Sequence, residues 1–411
     1  MKHIRTTFAC ATALSLIVGG LTFVAVHQIP PCLYEDGYNS SFFGADIARV
    51  THNLTDSSSN HYRVKVHPLS AIALTIPVYA ISWVLRIPRL LAMHLFIAIN
   101  ASLLSGLLFL ILRRTTSHIL DAMLFFLLAG STAAFWTWLP VPESFAFGSS
   151  TLLTAILLAS IPAIRRHPLS HYLVGVATMA ITITNWMAGM LYSLVFLGWK
   201  RALSVSLHVL AIVTLLWGVQ KYVFPSAQFF IGDREEELYI NKQGVLRPTM
   251  QFFLSPYASA DPISKYSEGM QRQVVLQGSF ATMTTPRSIL LGMAYTTWGA
   301  LLILGFMALR EADVNRGFRV MLACLVGGQY VLHLCYSNET FIYSLHWLPL
   351  LIVVCSLTSR SKFRRTGLIL CSLSVVLGLC INAPSVNRAM ALVQEFPAQT
   401  RTLPTTPPTV Q

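Results

Sequence analysis

Apolar runs of roughly 20 residues recur along nearly the whole chain, each long enough to cross a hydrocarbon layer about 30 Å thick. They fall near residues 6–27, 90–112, 119–139, 144–164, 202–223, 288–309 and 366–383, and two more lie between Arg319 and Arg360, joined by Ser337-Asn338-Glu339-Thr340. Repeated spans of this kind call for helices, because a backbone in lipid must satisfy its hydrogen bonds internally. From His171 to Trp199 the stretch is too long for one upright helix and short for two. Thr184-Asn185-Trp186 at its centre predicts a tight hairpin or a broken pair.

Clusters of cations punctuate the runs at Lys2/Arg5, Arg113/Arg114, Arg165/Arg166, Lys200/Arg201, Arg310/Arg316/Arg319 and Arg360/Lys362/Arg364/Arg365. Short cationic loops stay in the cytoplasm, so all six belong on one side, separated by even numbers of crossings. Between Arg5 and Arg113 there are three apolar runs, and the middle one, 69–85, is short, holds Pro77 and ends at Arg86 and Arg89. Reading it as an interfacial helix restores the parity. The fold expected is all-α and polytopic, with about eleven spans, an outer-face juxtamembrane helix and a long external loop. It divides into a transmembrane module at 1–223 that includes the external loop 28–89, an external loop at 224–287, further helices at 288–383 and an external tail at 384–411. The first run reads as an uncleaved span, and the Pro/Thr-rich tail as disordered.

Composition agrees. Of 411 residues, 54% are hydrophobic and 11% charged, with a mean hydropathy of +0.60, too little charge for a soluble protein of this size. A net charge of +13 would suit nucleic acid, but the cations sit in loops where they set topology, and nucleic acid is excluded. Six of the seven cysteines lie in or beside apolar runs without metal-binding spacing, which argues against a zinc site or a disulfide framework.

Acids, cations and histidine gather most densely between about Cys32 and Arg89. Glu35, Asp36 and Asp46 are candidate general bases, since a partly desolvated carboxylate can hold a pKa suited to proton abstraction; the ordinary alternative is a solvated loop. In His67-Pro68-Leu69, Pro68 pre-sets a helical turn and leaves His67 at the interface, which a helix start alone would also explain. Arg86, Arg89, Arg63 and Lys65 match a lipid-linked phosphate, or snorkel to ordinary headgroups. Glu143 stands alone in the turn Pro140-Val141-Pro142-Glu143, an expensive place for a carboxylate. Glu339, followed by Phe341, Tyr343, His346 and Trp347, is similar, although the aromatics also suit an interfacial belt. The run Asp233 to Glu237 reads as a solvated helix face rather than a metal site.

In order and spacing, Glu35/Asp36, Ala45-Asp46-Ile47-Ala48-Arg49, His67-Pro68-Leu69, Arg89 and Glu143 resemble the motifs of the C-type integral-membrane glycosyltransferases (GT-C fold), which include protein O-mannosyltransferases and aminoarabinose transferases acting on lipid A. The resemblance covers roughly residues 1–200. It departs in two places: Ser70 stands where a second proline is usual, and the acidic motif lies further from the Ala-x-Ile-Ala-Arg helix, so Asp36 and Asp46 both remain candidates for the base.

The resemblance implies inverting transfer of a sugar from a polyprenyl-phosphate donor to a hydroxyl of a glycan, lipid or protein, on the periplasmic side of a bacterial inner membrane. Asp36 or Asp46, with Glu35 and Glu143, would serve catalysis. Lys65, His67, Arg86 and Arg89 would hold the donor phosphate, and Glu339 and His346 the acceptor side. No metal ligands are assigned and no cofactor is certain, though Glu143 could orient a divalent cation instead of the acceptor. Two rivals are a transporter or flippase of lipid-linked sugars, disfavoured by bland spans and the lack of an internal repeat, and a glycan polymerase or ligase, disfavoured by the early acidic segment.

Overall fold

The computed structural model describes residues 2–231, 240, 244–266, 272–276, 286–336 and 340–396. In chain order, α1 (Lys2–Val26) precedes the polar segment, which holds short 3-10 turns and α2 (Ile47–Thr55); then come α3 (Ile76–Leu85), entered through a π-helical turn at Ala71–Thr75, and α4 (Arg89–Thr115). α5 (Ile119–Gly130), α6 (Ala133–Trp138), α7 (Ser144–Ala159), α8 (Pro162–Arg165), α9 (Pro168–Ile181), α10 (Trp186–Leu197) and α11 (Trp199–Val223) follow. The next connection holds α12 (Leu246–Phe253) and an antiparallel pair, β1 (Pro262–Tyr266) and β2 (Arg272–Leu276), with Ser264 opposite Val274. α13 (Pro286–Glu311), α14 (Arg316–Cys335), α15 (Ser344–Ser356) and α16 (Arg364–Gln394) come last.

Seven of these helical stretches are long and apolar enough to cross a membrane: Arg5–Val26, Arg89–Thr115, Trp199–Val223, Arg287–Glu311, Arg316–Cys335, Thr340–Arg360 and Arg364–Gln394. The helix at Ala71–Leu85 and α5, α7, α9 and α10 are apolar but shorter. The stretch Thr340–Arg360 differs from the rest, because 94% of its apolar window is buried, against 22% in α1 and α11. A helix that is apolar all round and covered all round is the core of the bundle.

Side-chain contacts join the basic clusters at one end. Arg364 bonds Asp121 of α5 at 3.0 Å, Arg360 Nε donates to the Thr116 carbonyl at 3.1 Å, and Lys362 pairs with Glu311 at 2.8 Å. Arg319 donates to the carbonyls of Leu309 and Arg310, and Arg165 lies 5.1 Å from the Phe196 ring centre, against which Gly317 also packs. At the other end the polar segment meets the 139–143 turn, the 182–185 turn and the chain after α11: Asp46 bonds Glu143, Leu69 bonds Ala180, and His61 bonds Ser226.

The helix at Ala71–Leu85 stays at this second end. Tyr79 in its middle accepts from Ser57 N–H at 2.7 Å and donates to the Thr55 carbonyl, while its last residue leads through left-handed Arg86 (φ 54°) to Arg89, which also bonds Thr55. Its first turn is held by Gln220 of α11, whose side chain accepts from Ile72 N–H at 3.1 Å and donates to the Pro68 carbonyl at 2.8 Å. A fully buried glutamine thereby satisfies backbone groups that a helix start leaves open.

The stretch from His171 to Trp199 is a helical hairpin. Gly189 lies against Gly175, where an added methyl would fall 2.7 Å from the facing Cα, and Tyr192 and Ser170 hydroxyls meet at 3.1 Å. Gly198, with φ 81°, then reverses the chain into α11. The apolar run 119–139 breaks between α5 and α6, where Ala133 and Ala134 donate to the carbonyls of Tyr257 and Pro256. Part of the connection after α11 therefore reaches into the bundle. α16 continues through Pro384 to Gln394, so the helix extends beyond the expected start of the tail, and residues 397–411 lie outside the described residues, as do Asp233 to Glu237.

Candidate functional site

A cavity of about 470 Å³ lies at the end of the bundle remote from the basic clusters. Asp46 reaches it from a tight loop in which Ser40, Phe43 and Gly44 all have positive φ (63°, 51° and 79°). Such a loop is costly for the two non-glycine residues and needs outside support. β2 supplies it: Phe43 N–H donates to the Val274 carbonyl at 2.9 Å, and Val274 N–H to the Ser41 carbonyl at 2.8 Å. Asp46 then opens α2, its carboxylate ion-paired with Arg49 one turn on and accepting from Ser40 Oγ at 3.3 Å.

Glu143 meets Asp46 from the far side. Its Oε1 accepts from Asp46 N–H at 2.7 Å and its Oε2 from Ser144 N–H at 3.2 Å, so the same side chain caps α7 and anchors α2. Burial pushes its pKa up to about 7, with the Asp46 charge adding to the rise and Arg49 and the two amides opposing it.

His67 completes this wall. Its Nδ1 lies 2.8 Å from the Ile181 carbonyl, an oxygen that can only accept, so Nδ1 carries the proton and Nε2 is left to accept from Ser144 Oγ at 3.3 Å. Burial, helped by the Arg63 charge, lowers its pKa to about 3, and the ring stays neutral. A histidine of such low basicity positions its neighbours; it is too weak a base to activate Ser144 at neutral pH.

Of the residues marked by the sequence, the structure therefore brings Asp46, Arg63, His67, Glu143, Tyr343 and His346 to one cavity. Others lie elsewhere. Asp36, with 65% of its side chain exposed, faces His52 at 3.8 Å, and Glu35 links two short turns on the exposed surface. Lys65 is buried beside Tyr62, its Nζ 5.5 Å from the ring centre. Arg89 stacks on Tyr79 at 4.1 Å and Arg86 caps α3, so the length of that helix carries both away from the cavity lining. Glu339 lies outside the described residues. Among the described residues no three His, Cys, Asp or Glu side chains converge as metal ligands would.

Residues not singled out for the site include Arg49, which sits within the Ala45–Arg49 motif, and Ser144, whose adjacency to Glu143 was the available signal. Further lining comes from α14, α15 and the turn before α15: His333, Tyr336, Tyr343 and His346, with Tyr343 and His346 packed on Phe145 of α7. A lone histidine in an apolar run gives little warning of this role.

No protein-family model matches the chain, and no curated protein matches it. Fold and site define a class: a mainly helical chain with, among the described residues, seven helical stretches of membrane-crossing length and composition, and a charged cavity at one end of the bundle.

Proposed function

We propose that the protein transfers a sugar from a polyprenyl-phosphate donor to an acceptor hydroxyl on the outer face of a membrane. The single observation behind this reading is the hydrogen bond that joins Asp46 to Glu143, 97 residues apart, beside Arg49 in one cavity remote from the basic clusters. On this reading the basic end is cytoplasmic, the seven long helices and the shorter α5, α7, α9 and α10 make about eleven crossings, and the cavity opens outside. Nucleotide sugars are cytoplasmic, so a donor used there arrives on a lipid carrier.

Asp46 takes the proton of the acceptor hydroxyl as that oxygen bonds the anomeric carbon from the face opposite the phosphate. The bond from carbon to phosphate oxygen breaks, and its electron pair leaves with the polyprenyl phosphate. Arg49 and Arg63, which line the cavity, are better placed to hold that phosphate than Lys65, Arg86 and Arg89. Glu143 holds Asp46 through its backbone amide, and apolar Val50, Leu54 and Leu74 offer a path for the first units of the lipid.

Transfer of a labelled sugar from polyprenyl phosphate, measured in membranes, tests the assignment. Asp46→Asn is expected to lower the rate by about 10²–10⁴, and Asp36→Asn to change it by no more than about twofold. Full activity in Asp46→Asn would remove the mechanism.

A further inference from the structure

At the basic end of the bundle lies a second cavity, of about 780 Å³, between α1, α4, the close of α7, the turn from α13 to α14 and the segment after α15. Three arginines line it: Arg113 and Arg114 from the last turn of α4, and Arg360. Two of them meet on a single acceptor. Arg113 Nη1 donates to the Thr116 carbonyl at 3.4 Å and Arg360 Nε to the same oxygen at 3.1 Å, so the two guanidinium heads lie side by side. One donor would be enough to satisfy that carbonyl at the end of α4. The second brings a like charge close to the first, at an electrostatic cost that grows as water is excluded.

Carboxylates do not balance these charges. In an adjoining cavity, which shares Thr7 and Arg113, Arg364 is matched by Asp121 at 3.0 Å. Among the described residues Arg113, Arg114 and Arg360 make no ion pair. Asp313 also lines the cavity and is likewise without an ion pair among the described residues, so three positive charges face one negative. The carboxylates outside the described residues fall at 233–237, 268 and 339, in connections that also hold Ile240, Tyr266 and Tyr336. Those neighbours stand at the other end: Ile240 bridges to Tyr336, which lines the Asp46 cavity, and Tyr266 pairs with β2, whose Val274 bonds Ser41. The length of α14 alone, roughly 30 Å, separates the two ends.

The rest of the cavity is apolar. Phe8, Leu110 and Leu157 line it, Phe8 is 58% exposed, and only 22% of the apolar window of α1 is buried, so this side opens toward hydrocarbon. We propose that the cavity binds one anionic phospholipid from the leaflet at the basic end, its phosphate diester between Arg113 and Arg360 and its first acyl carbons on Phe8, Leu110 and Leu157. A phosphate offers two oxygens to two guanidiniums and relieves the repulsion between them. Basic pockets between spans suit such headgroups. A headgroup with its own ammonium would leave the excess positive charge of the cavity unchanged, whereas a glycerol headgroup reduces it and has hydroxyls to donate to Asp313. The site is independent of the transferase reading.

Native mass spectrometry of the whole protein in detergent counts bound lipid directly. The probes are phosphatidylglycerol, phosphatidylethanolamine and phosphatidylcholine of one chain length, and glycerol 1-phosphate. One phosphatidylglycerol is expected to bind about tenfold or more tighter than either zwitterion, and glycerol 1-phosphate not to displace it. The double variant Arg113→Gln/Arg360→Gln should lose that preference. Arg166→Gln/Arg316→Gln, exposed at the same end and outside the cavity lining, should keep it. Because Arg360 also bonds the end of α4, Ser160→Phe supplies a second route: it fills the cavity without removing a charge, and should lose the preference too. Phosphatidylglycerol bound no tighter than the zwitterions, or a preference that survives in Ser160→Phe or in Arg113→Gln/Arg360→Gln, overturns the proposal. Displacement by an equal concentration of glycerol 1-phosphate would make this a site for soluble phosphate, and overturns it as well.

Discussion

Glu143 shows how far one carboxylate can be moved from its ordinary chemistry. Deprived of water and facing Asp46, it titrates near 7 in the folded protein and near 4.5 when free. The folded state therefore holds this proton more tightly than the unfolded chain does. Its contribution to stability is complete below about pH 4.5 and disappears as pH rises through 7. Thermal unfolding in detergent should show the wild type losing melting temperature relative to Glu143→Gln over that window, by a free energy on the order of 3 kcal/mol. A constant difference across the window would show that Glu143 does not titrate in this way. His67 has the opposite sign, its depressed pKa withdrawing stability as pH falls toward 3, so the comparison is between the two proteins at each pH.

The same residues mark what a sequence reveals and what it conceals. Glu143 stands out because a lone acid in a Pro-Val-Pro turn has no cheap explanation. Asp36 and Asp46 look equivalent, since what separates them is a loop with left-handed Ser40 and Phe43, held by hydrogen bonds to Val274 far along the chain. Neither the strain nor its support has a local signature. His333 is hidden for a related reason: only the packing of α14 on α15 gives its ring aromatic neighbours and a place in the lining.

Among the elements, charge parity sets the helix at Ala71–Leu85 apart as an expected non-crossing run, and what the structure adds is that its bonds to Ser57 and Thr55 hold it beside the polar segment. The break between α5 and α6 was not legible, because the backbone groups that satisfy Ala133 and Ala134 belong to Pro256 and Tyr257. Close helix approach offers a sharper test. On α13, a methyl group added at Gly305 would fall 2.9 Å from Cys355 Cα and 3.0 Å from the Val354 carbonyl, all backbone of the central helix, whereas one added at Gly299 would meet nothing within 4 Å. Gly305→Ala should destabilise the protein by about 1–3 kcal/mol. Gly299→Ala should be neutral or gain up to about 1 kcal/mol from helix propensity. Equal melting temperatures for the two variants would show that α13 and α15 do not approach this closely.

For the molecule as a whole, the basic clusters at one end and the cavity at the other define an axis, and the proposed orientation follows from it. In a cysteine-free background, Ser57→Cys, exposed beside the polar segment, should react with a membrane-impermeant maleimide on intact cells. Arg166→Cys, exposed at the basic end, should react only after permeabilisation. The reverse pattern would turn the protein over and place the cavity in the cytoplasm. This axis was the most legible feature of the chain, because cations between apolar runs report topology directly, while the inner arrangement depends on contacts between distant segments.

The position of α15 carries a consequence for how the protein is made. Its covering comes from α4, α5, α7, α13 and α14, and its first turn helps to line the Asp46 cavity. A nascent chain halted before α14 would have its acids and arginines in place without the α14–α15 rings that complete the cavity lining, and a gap along the axis for lipid to fill. Premature termination products should thus be unable to assemble the pocket and be cleared by membrane quality control, and supplying α14–α16 as a separate polypeptide should be the minimum needed to rescue them.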